Sequence, residues 1–305
     1  MDKSMLPALP DAHNPWRLPA PAKLNLMLHI TGRRADGYHE LQTLFQLLAW
    51  GDELTFSLNA ETADVPPDAP VTLCDDSGIP LTDNLIVLAA QLLRPIARSF
   101  QPTTITLNKR IPMGGGLGGG SSDAATTLLA LNHLWAAELS VDALAELGRQ
   151  LGADVPVFVR SHSAWAEGIG DQLTPVELPQ QWFVVAHPKV TINTATVFND
   201  PGLTRNSQIT TIRTALKRGG RNDCEQVVRQ RYPAVDELLR IMSTLGDARL
   251  TGTGACCFLP YATELDATSV ANELRSHANV FVAQGVNQSP VVSAMAALTQ
   301  QCAFP

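Results

Sequence analysis

The stretch PMGGGLGGGSSDAA, residues 112–125, constrains this chain most. Within it, six of the seven residues 114–120 are glycine. Glycine loses more conformational freedom on folding than any other residue and packs nothing, so so dense a cluster needs a backbone reason. Upstream, TTITLNKRIP (103–112) reads as a strand running straight into the glycines. Downstream, Ser121 and Ser122 are capping residues and Asp123 falls in the first turn of a helix. Ala124, Leu128, Leu131, Trp135 and Leu139 then recur along one helical face. Strand, glycines and helix start together gather backbone N–H groups and the positive dipole end on one spot. That is an anion site, and phosphate is the usual anion. A flexible linker is the competing reading, but linkers are commonly longer and flanked by polar residues. Residues 84–122 also contain no Asp or Glu, but do contain Arg94, Arg98, Lys109 and Arg110. A basic segment ending at the loop favours anions, although solvated surface bases give the same pattern.

Three familiar phosphate loops do not fit. Gly114, Gly116 and Gly119 match the dinucleotide spacing, and Glu138 follows at a suitable distance. That motif needs a strand after the helix with the acid at its tip, whereas Glu138 falls near the helix end and another helix follows. A Walker A loop needs Lys where this chain has Gly120. The companion motifs of protein kinases are absent.

The remaining sequence reads as mixed helix and strand. AKLNLMLHI (22–30) alternates as a strand, and ELTFSL (53–58) follows an expected turn at Gly51 and Asp52. Residues 66–80 are turn-rich and read as surface loop, and residues 83–100 as a helix with Asp83 as N-cap. Ser140 starts a further helix with Leu144, Leu147 and Leu151 inward, ended by Gly152. In the second half, residues 181–188 read as a buried strand, 223–245 as helical, 248–260 as two strands around a glycine turn, and 271–286 as helix then strand. The expected class is α+β in two parts, residues 1–165 and 166–305.

Length and charge limit the function. A chain of 305 residues is long enough for two cores. Its net charge of −7 speaks against a nucleic-acid or anionic-membrane binder. No apolar run reaches membrane-spanning length. Residues up to about Trp16 form a proline-rich lead-in without the apolar core of a signal peptide, so a cytoplasmic location is expected. The five cysteines show no C-x-x-C pair, and no zinc spacing or H-E-x-x-H occurs. They read as reduced structural thiols, with no protein-held metal centre.

The segment from Pro112 to Ala125 resembles the phosphate loop of the GHMP small-molecule kinases. PAKLNL (21–26), GADVP (152–156) and LTGTGAC (250–256) support the resemblance, which runs from about Pro19 to near the C-terminus. It implies a first domain like ribosomal protein S5 domain 2, a ferredoxin-like second domain and an active site between them. The spacing in PAKLNLMLHITGRRADGYHELQTLFQ narrows the resemblance to members acting on a cytidine-diphosphate-linked methylerythritol, with ATP and Mg²⁺. The implied reaction moves the ATP γ-phosphoryl group to the tertiary hydroxyl of that substrate in non-mevalonate isoprenoid synthesis.

Residue by residue, the resemblance implies that Pro112, Met113, Gly114, Gly115, Gly116, Leu117, Gly118, Gly119, Gly120, Ser121 and Ser122 hold ATP. Lys109 would approach the nucleotide, and the two serine hydroxyls would serve phosphate or Mg²⁺, or simply cap the helix. Asp154 would act on the acceptor hydroxyl as general base or by orienting it, with Lys23 beside it stabilising the transferring charge. Read alone, Asp154 is a turn or cap residue and Lys23 a solvated strand residue. Asn25 and Thr194 would contact the substrate, and Tyr38, His39 and Phe198 the cytidine, where aromatic faces stack on a base. A core Phe198 and a surface His39 are the ordinary alternatives. Residues 251–254 form a second glycine turn, facing the cleft or closing a tight hairpin. The protein is expected to be a monomer or weak homodimer. A related kinase of mevalonate, homoserine or a sugar, and a catalytically silent nucleotide binder, are the competing functions.

Overall fold

The computed structural model describes residues 9–59, 66 and 69–300. Two long strands, β1 (Trp16–Arg33) and β2 (His39–Leu58), form an antiparallel ribbon. Gly51 and Asp52 lie inside β2 and not in a turn. The glycine permits close approach instead, since a Cβ there would sit 2.0 Å from the Ala20 carbonyl oxygen. The chain continues through β3 (Val71–Cys74), α1 (Leu85–Leu93), β4 (Thr103–Asn108), α2 (Gly119–Leu134), α3 (Val141–Arg149), α4 (Val155–Arg160), β5 (Ala164–Glu167) and β6 (Gln172–Pro175). Then follow β7 (Trp182–His187), α5 (Thr194–Phe198), α6 (Ile212–Arg218), α7 (Glu225–Arg231), α8 (Pro233–Ser243), β8 (Arg249–Leu250), β9 (Cys257–Tyr261), α9 (Glu264–Leu274), β10 (Asn279–Val286) and α10 (Pro290–Gln300).

Several local expectations change. β3 falls where surface loop was expected; it pairs in parallel with β4, and Val71 is buried. A strand this short gives no readable alternation. Asn84, not Asp83, caps α1, its Oδ1 accepting from Ile86 N at 3.0 Å. The N-cap of α2 is Gly118 in the left-handed region, so Ser121 and Ser122 lie inside the first turn and Asp123 just beyond it. α2 stops at Leu134, because the backbone turns left-handed at Ala136 and Glu138; Leu139 lies outside the helix. Ser140 caps α3 as expected, but the helix ends at Arg149, before Gly152.

The strands join in the order β3-β4-β2-β10-β7-β9-β8, with β1 and the β5–β6 hairpin attached to β2. β10 pairs with both β7 and β2, so one strand stitches the two halves together. Residue 165 lies within β5, itself paired with β2. From the far end of the chain, α10 returns to place Val291 in the core of the first half. Phe45, Phe56, Leu128 and Trp135 belong to that core, and Val184, Val228, Leu239 and Leu259 to the core of the second half.

A third cluster draws on both halves. Leu24 and Leu48 of the ribbon meet Phe183 and Phe258, and Ile111 and Leu117 join them from the glycine segment. Leu117, the one side chain inside the glycine run, is 1% exposed. It anchors a loop that otherwise has nothing to bury, and burying a leucine contributes about 1.5–3 kcal/mol. Among the described residues no helix is long and apolar enough to cross a membrane. Cys224, Cys256 and Cys257 are free and buried and Cys74 is free and exposed, while Cys302 lies outside the described residues.

Leu117→Ala is expected to lower stability by about 2–5 kcal/mol, the cost of a cavity at a fully buried leucine. Urea unfolding followed by circular dichroism measures it; a loss well under 1 kcal/mol would mean that the loop is not anchored there.

Candidate active site

Lys23 sits between two irregularities of β1, one between Pro21 and Lys23 and one between Asn25 and Met27. Strand alternation turns Lys23 and Asn25 to the same face. Lys23 is 3% exposed. Its Nζ donates to Asn25 Oδ1 at 2.6 Å and to the Gly116 carbonyl at 3.1 Å, and lies 3.2 Å from Asp154 Oδ2. The Phe45 ring lies 5.3 Å from the same ammonium. A buried ammonium without such partners would cost several kcal/mol, so the site is held together by the need to satisfy it. Asp154 takes the N-cap position of α4, yet its side chain makes no capping bond. Its carboxylate is 34% exposed, pairing with Lys23 on one side and open to the cleft on the other.

Asn25 extends the network. Its Nδ2 donates to Thr43 Oγ1 at 2.8 Å, and that hydroxyl donates to the Met27 carbonyl at 2.6 Å. The backbone N–H of Asn25 donates to Thr251 Oγ1 at 2.9 Å, tying the ribbon to the second glycine turn.

The glycine loop is pressed against that second turn. Ala255 N donates to the Gly114 carbonyl and Cys256 N to the Gly115 carbonyl, both at 3.0 Å. A Cβ on Gly116 would lie 2.4 Å from the Thr251 carbonyl oxygen, and Gly116 has a φ of 76°. Both facts demand glycine there. The loop carbonyls at 114, 115 and 116 therefore face protein donors. The first N–H groups of α2 have no intrahelical acceptor, which leaves them for an anion. Gly252 and Thr253 line the cleft while their turn also joins β8 to β9, so cleft turn and hairpin turn are one element.

Lys109 lies at the cleft wall, but not as a free cation. Its Nζ is 2.7 Å from both Asp52 Oδ2 and Asp123 Oδ2. Asp52 Oδ1 in turn accepts from the backbone of Ile111 at 2.7 Å. Two carboxylates share one lysine, and Asp123 Oδ1 is buried with no hydrogen-bond partner among the described residues. Burial raises Asp123 to about 7; the nearby Lys109 opposes this and Asp52 adds to it. The rest of the basic segment is spent elsewhere. Arg94 stacks on Phe100, Arg98 pairs with Glu138, and the Arg110 guanidinium lies over Trp50. That basic run therefore does not supply the cleft with free positive charge.

The cleft encloses about 710 Å³. Pro112 to Ser121, Lys23, Asn25, Lys109, Asp154, Thr194 and Phe198 all line it. Three expected site residues do not. Ser122 is fully buried and its Oγ has no hydrogen-bond partner among the described residues. Tyr38 is 60% exposed. His39 is buried and stacks on Phe198 at 5.1 Å. Thr194 Oγ1 lies 3.1 Å from Thr253 Oγ1, tying the start of α5 to the second glycine turn. Sequence reasoning misses Thr43, Thr251, Asp52 and Arg205. Each acts through a partner distant in the chain, and although Thr43 and Thr251 fall inside the quoted stretches 21–46 and 250–256, nothing local there shows that partner. Only the strand alternation of residues 39–58 hints that Thr43 and Phe45 share a face.

Comparison with known proteins places this geometry. Residues 84–162 match the GHMP kinases N terminal domain model and residues 202–280 the GHMP kinases C terminal model. The chain is 52% identical over 290 residues to a protein of Ectopseudomonas mendocina named 4-diphosphocytidyl-2-C-methyl-D-erythritol kinase, covering 95% of this chain and 98% of that one. A protein of the same name from Marinobacter nauticus is 52% identical over 278 residues, covering 90% and 95%. A crystal structure of 4-(cytidine 5'-diphospho)-2C-methyl-D-erythritol kinase superposes with a TM-score of 0.75 at 33% identity, over 88% of this chain and 98% of that one. Homoserine kinase from Cytophaga hutchinsonii shares the fold, with a TM-score of 0.66 at 17% identity over 92% and 98%.

Between about pH 4 and pH 7, folded Asp123 holds a proton that the unfolded chain has released. Its contribution to stability therefore falls as pH rises through that window. Asp123→Asn is expected to flatten this part of the stability profile in urea unfolding at several pH values; an unchanged profile would assign it to other groups.

Proposed function

The chain belongs to the GHMP kinase family and, within it, to the 4-diphosphocytidyl-2-C-methyl-D-erythritol kinases, and we propose that it phosphorylates that cytidyl alcohol with ATP. The γ-phosphoryl group goes to the tertiary 2-hydroxyl, a step of the non-mevalonate route to isoprenoid precursors. The observation that carries the reading is the Lys23–Asp154 pair, 3.2 Å apart at the edge of the glycine loop.

Phosphoryl transfer asks for positioning, charge neutralisation and a group to manage the acceptor proton. The N–H groups at the start of α2 receive the phosphates. Asp154, open to the cleft and fixed by Lys23, takes the acceptor proton as the acceptor oxygen bonds to the γ-phosphorus and ADP leaves. Lys23 stabilises the charge gathering on the transferred group. Asn25 holds Lys23 and, with Thr194, borders the acceptor end. Phe198 supplies an aromatic wall for the cytosine, with His39 stacked on it and Tyr38 preceding His39 in the chain.

Mg²⁺ accompanies ATP in this reading and neutralises phosphate charge. Ser121 and Asp154 both line the cleft. These are hard oxygen donors of the kind Mg²⁺ takes one or two at a time, the phosphates and water supplying the rest. The reading takes the protein as a monomer or weak homodimer in the cytoplasm.

A coupled ADP-release assay tests the reaction, comparing the cytidyl substrate with methylerythritol, mevalonate and homoserine. Turnover with the cytidyl compound alone is expected; turnover with another acceptor instead would overturn the substrate assignment. Asp154→Asn is expected to lower kcat by roughly 10²–10⁴, the range for a general base, while circular dichroism and ATP binding stay as they are. A near-normal kcat would remove Asp154 from the proton transfer.

A further inference from the structure

One acceptor of the Lys23 ammonium is itself held by a residue that the transfer chemistry leaves unused. An ammonium has three N–H donors and no acceptor. Those of Lys23 meet three acceptors: Asn25 Oδ1 at 2.6 Å, the Gly116 carbonyl at 3.1 Å and Asp154 Oδ2 at 3.2 Å. Glycine loop and carboxylate are thus both placed from one atom, and the shortest of the three contacts is the one to Asn25.

Behind Asn25 stands Thr43, a residue of β2 that lines the cleft and is buried, as Asn25 is. Asn25 Nδ2 donates to the Thr43 hydroxyl at 2.8 Å, and that hydroxyl donates to the Met27 carbonyl at 2.6 Å. A hydroxyl has one proton. A carbonyl cannot donate, so the proton is committed to Met27, and the Thr43 oxygen offers Asn25 only lone pairs. The amide must then turn its NH₂ side to Thr43 and its carbonyl side to Lys23. The ammonium asks for the same orientation from the other end, because it cannot accept. Met27 carbonyl, Thr43 hydroxyl, Asn25 amide and Lys23 ammonium therefore form a series with one polarity, fixed at both ends. It lies where the β1–β2 register shifts, between Asn25 and Met27.

We propose that Thr43 is a positioning residue for phosphoryl transfer: its hydroxyl fixes the Asn25 amide, and through it the place of Lys23 between the glycine loop and Asp154. The proposal rests on the phosphotransferase reading above. Without the hydroxyl, the NH₂ group of Asn25 is buried with no acceptor at that place. Turning the amide over gives no relief, since it sets NH₂ against the ammonium. Asn25 then leaves its place, and Lys23 keeps only the Gly116 carbonyl and Asp154. The ammonium is drawn toward these two and away from the charge on the transferred group.

The test is a double-mutant cycle on the full-length chain, with each variant checked for fold by circular dichroism. It is read as kcat and KM with whichever acceptor the unmodified protein phosphorylates. Thr43→Val keeps the branched shape and removes the hydroxyl, whereas Thr43→Ser keeps the hydroxyl. Thr43→Val is expected to lower kcat roughly 10–100-fold, as for a buried polar group left unpaired, with KM changed far less. Thr43→Ser should retain most of the activity. In an Asn25→Leu background no amide remains to be oriented, and Thr43→Val should cost almost nothing further.

An equal loss in both backgrounds overturns the proposal, because Thr43 would then act on the strand or touch the substrate itself. So does a rise in KM with kcat intact, or a Ser variant as poor as the Val variant. If Thr43→Val does not fold, hydrogen exchange on the unmodified protein decides. The side-chain NH₂ of Asn25 is expected to exchange far more slowly than that of an exposed asparagine, and exchange at the exposed rate overturns the proposal. Transfer to an acceptor other than the cytidyl compound would overturn the substrate reading and leave the cycle to decide the role of Thr43. Absence of ATP-dependent transfer to any acceptor would remove the kinase reading, and the role of Thr43 with it.

Discussion

The buried ammonium of Lys23 is the interaction on which the site depends. It is sequestered from solvent on the ribbon and reaches three separate parts of the chain: the Asn25 side chain, the Gly116 carbonyl of the glycine loop and the Asp154 carboxylate. Removing any one partner would leave a charge poorly compensated in a low-dielectric site. The same requirement that stabilises the fold therefore fixes the distance between the glycine loop and the Asp154 carboxylate. Asp154 contributes by what it does not do. It stands at a helix N-cap without capping, and its free oxygen faces the cleft.

The glycine loop answers to two constraints at once. Its start at the head of α2 suits an anion, but at Gly116 the protein itself forbids a side chain, because the second glycine turn is already in contact. Leu117 then pins the loop into the cluster shared by both halves. Loop, second turn and shared core form one packed unit, and β10 ties the sheets beneath it. The phosphate site proposed there is thus preorganised by the same contacts that join the two halves, so little ordering would oppose ligand binding.

Much of this was legible in the sequence, and the misses have physical causes. The strand–glycine–helix order was readable because glycine runs and helical periodicity are local signals. The pairing of Lys23 with Asp154 came from motif resemblance; nothing local in a lysine on an alternating strand distinguishes it from a solvated one. Gly51 reads as a turn because glycine serves turns and close approaches equally well, and only the neighbouring strand decides. Ser121 and Ser122 read as caps because a glycine cap one residue before the helix carries no side-chain signature. Lys109 and the basic segment show the limit of charge counting. Asp52 lies 57 residues from Lys109 in the chain and holds it by an ion pair that no composition profile contains.

The coupling between Lys23 and Asp154 is the most direct test of the site as a single unit. A double-mutant cycle on kcat would compare Lys23→Met, Asp154→Asn and the pair, each checked for fold. Groups that act together lose most of their effect with the first deletion, so the double variant should be little worse than the more damaging single one. Losses that simply multiply would show that the two residues act independently, and would contradict the central role given to the ion pair.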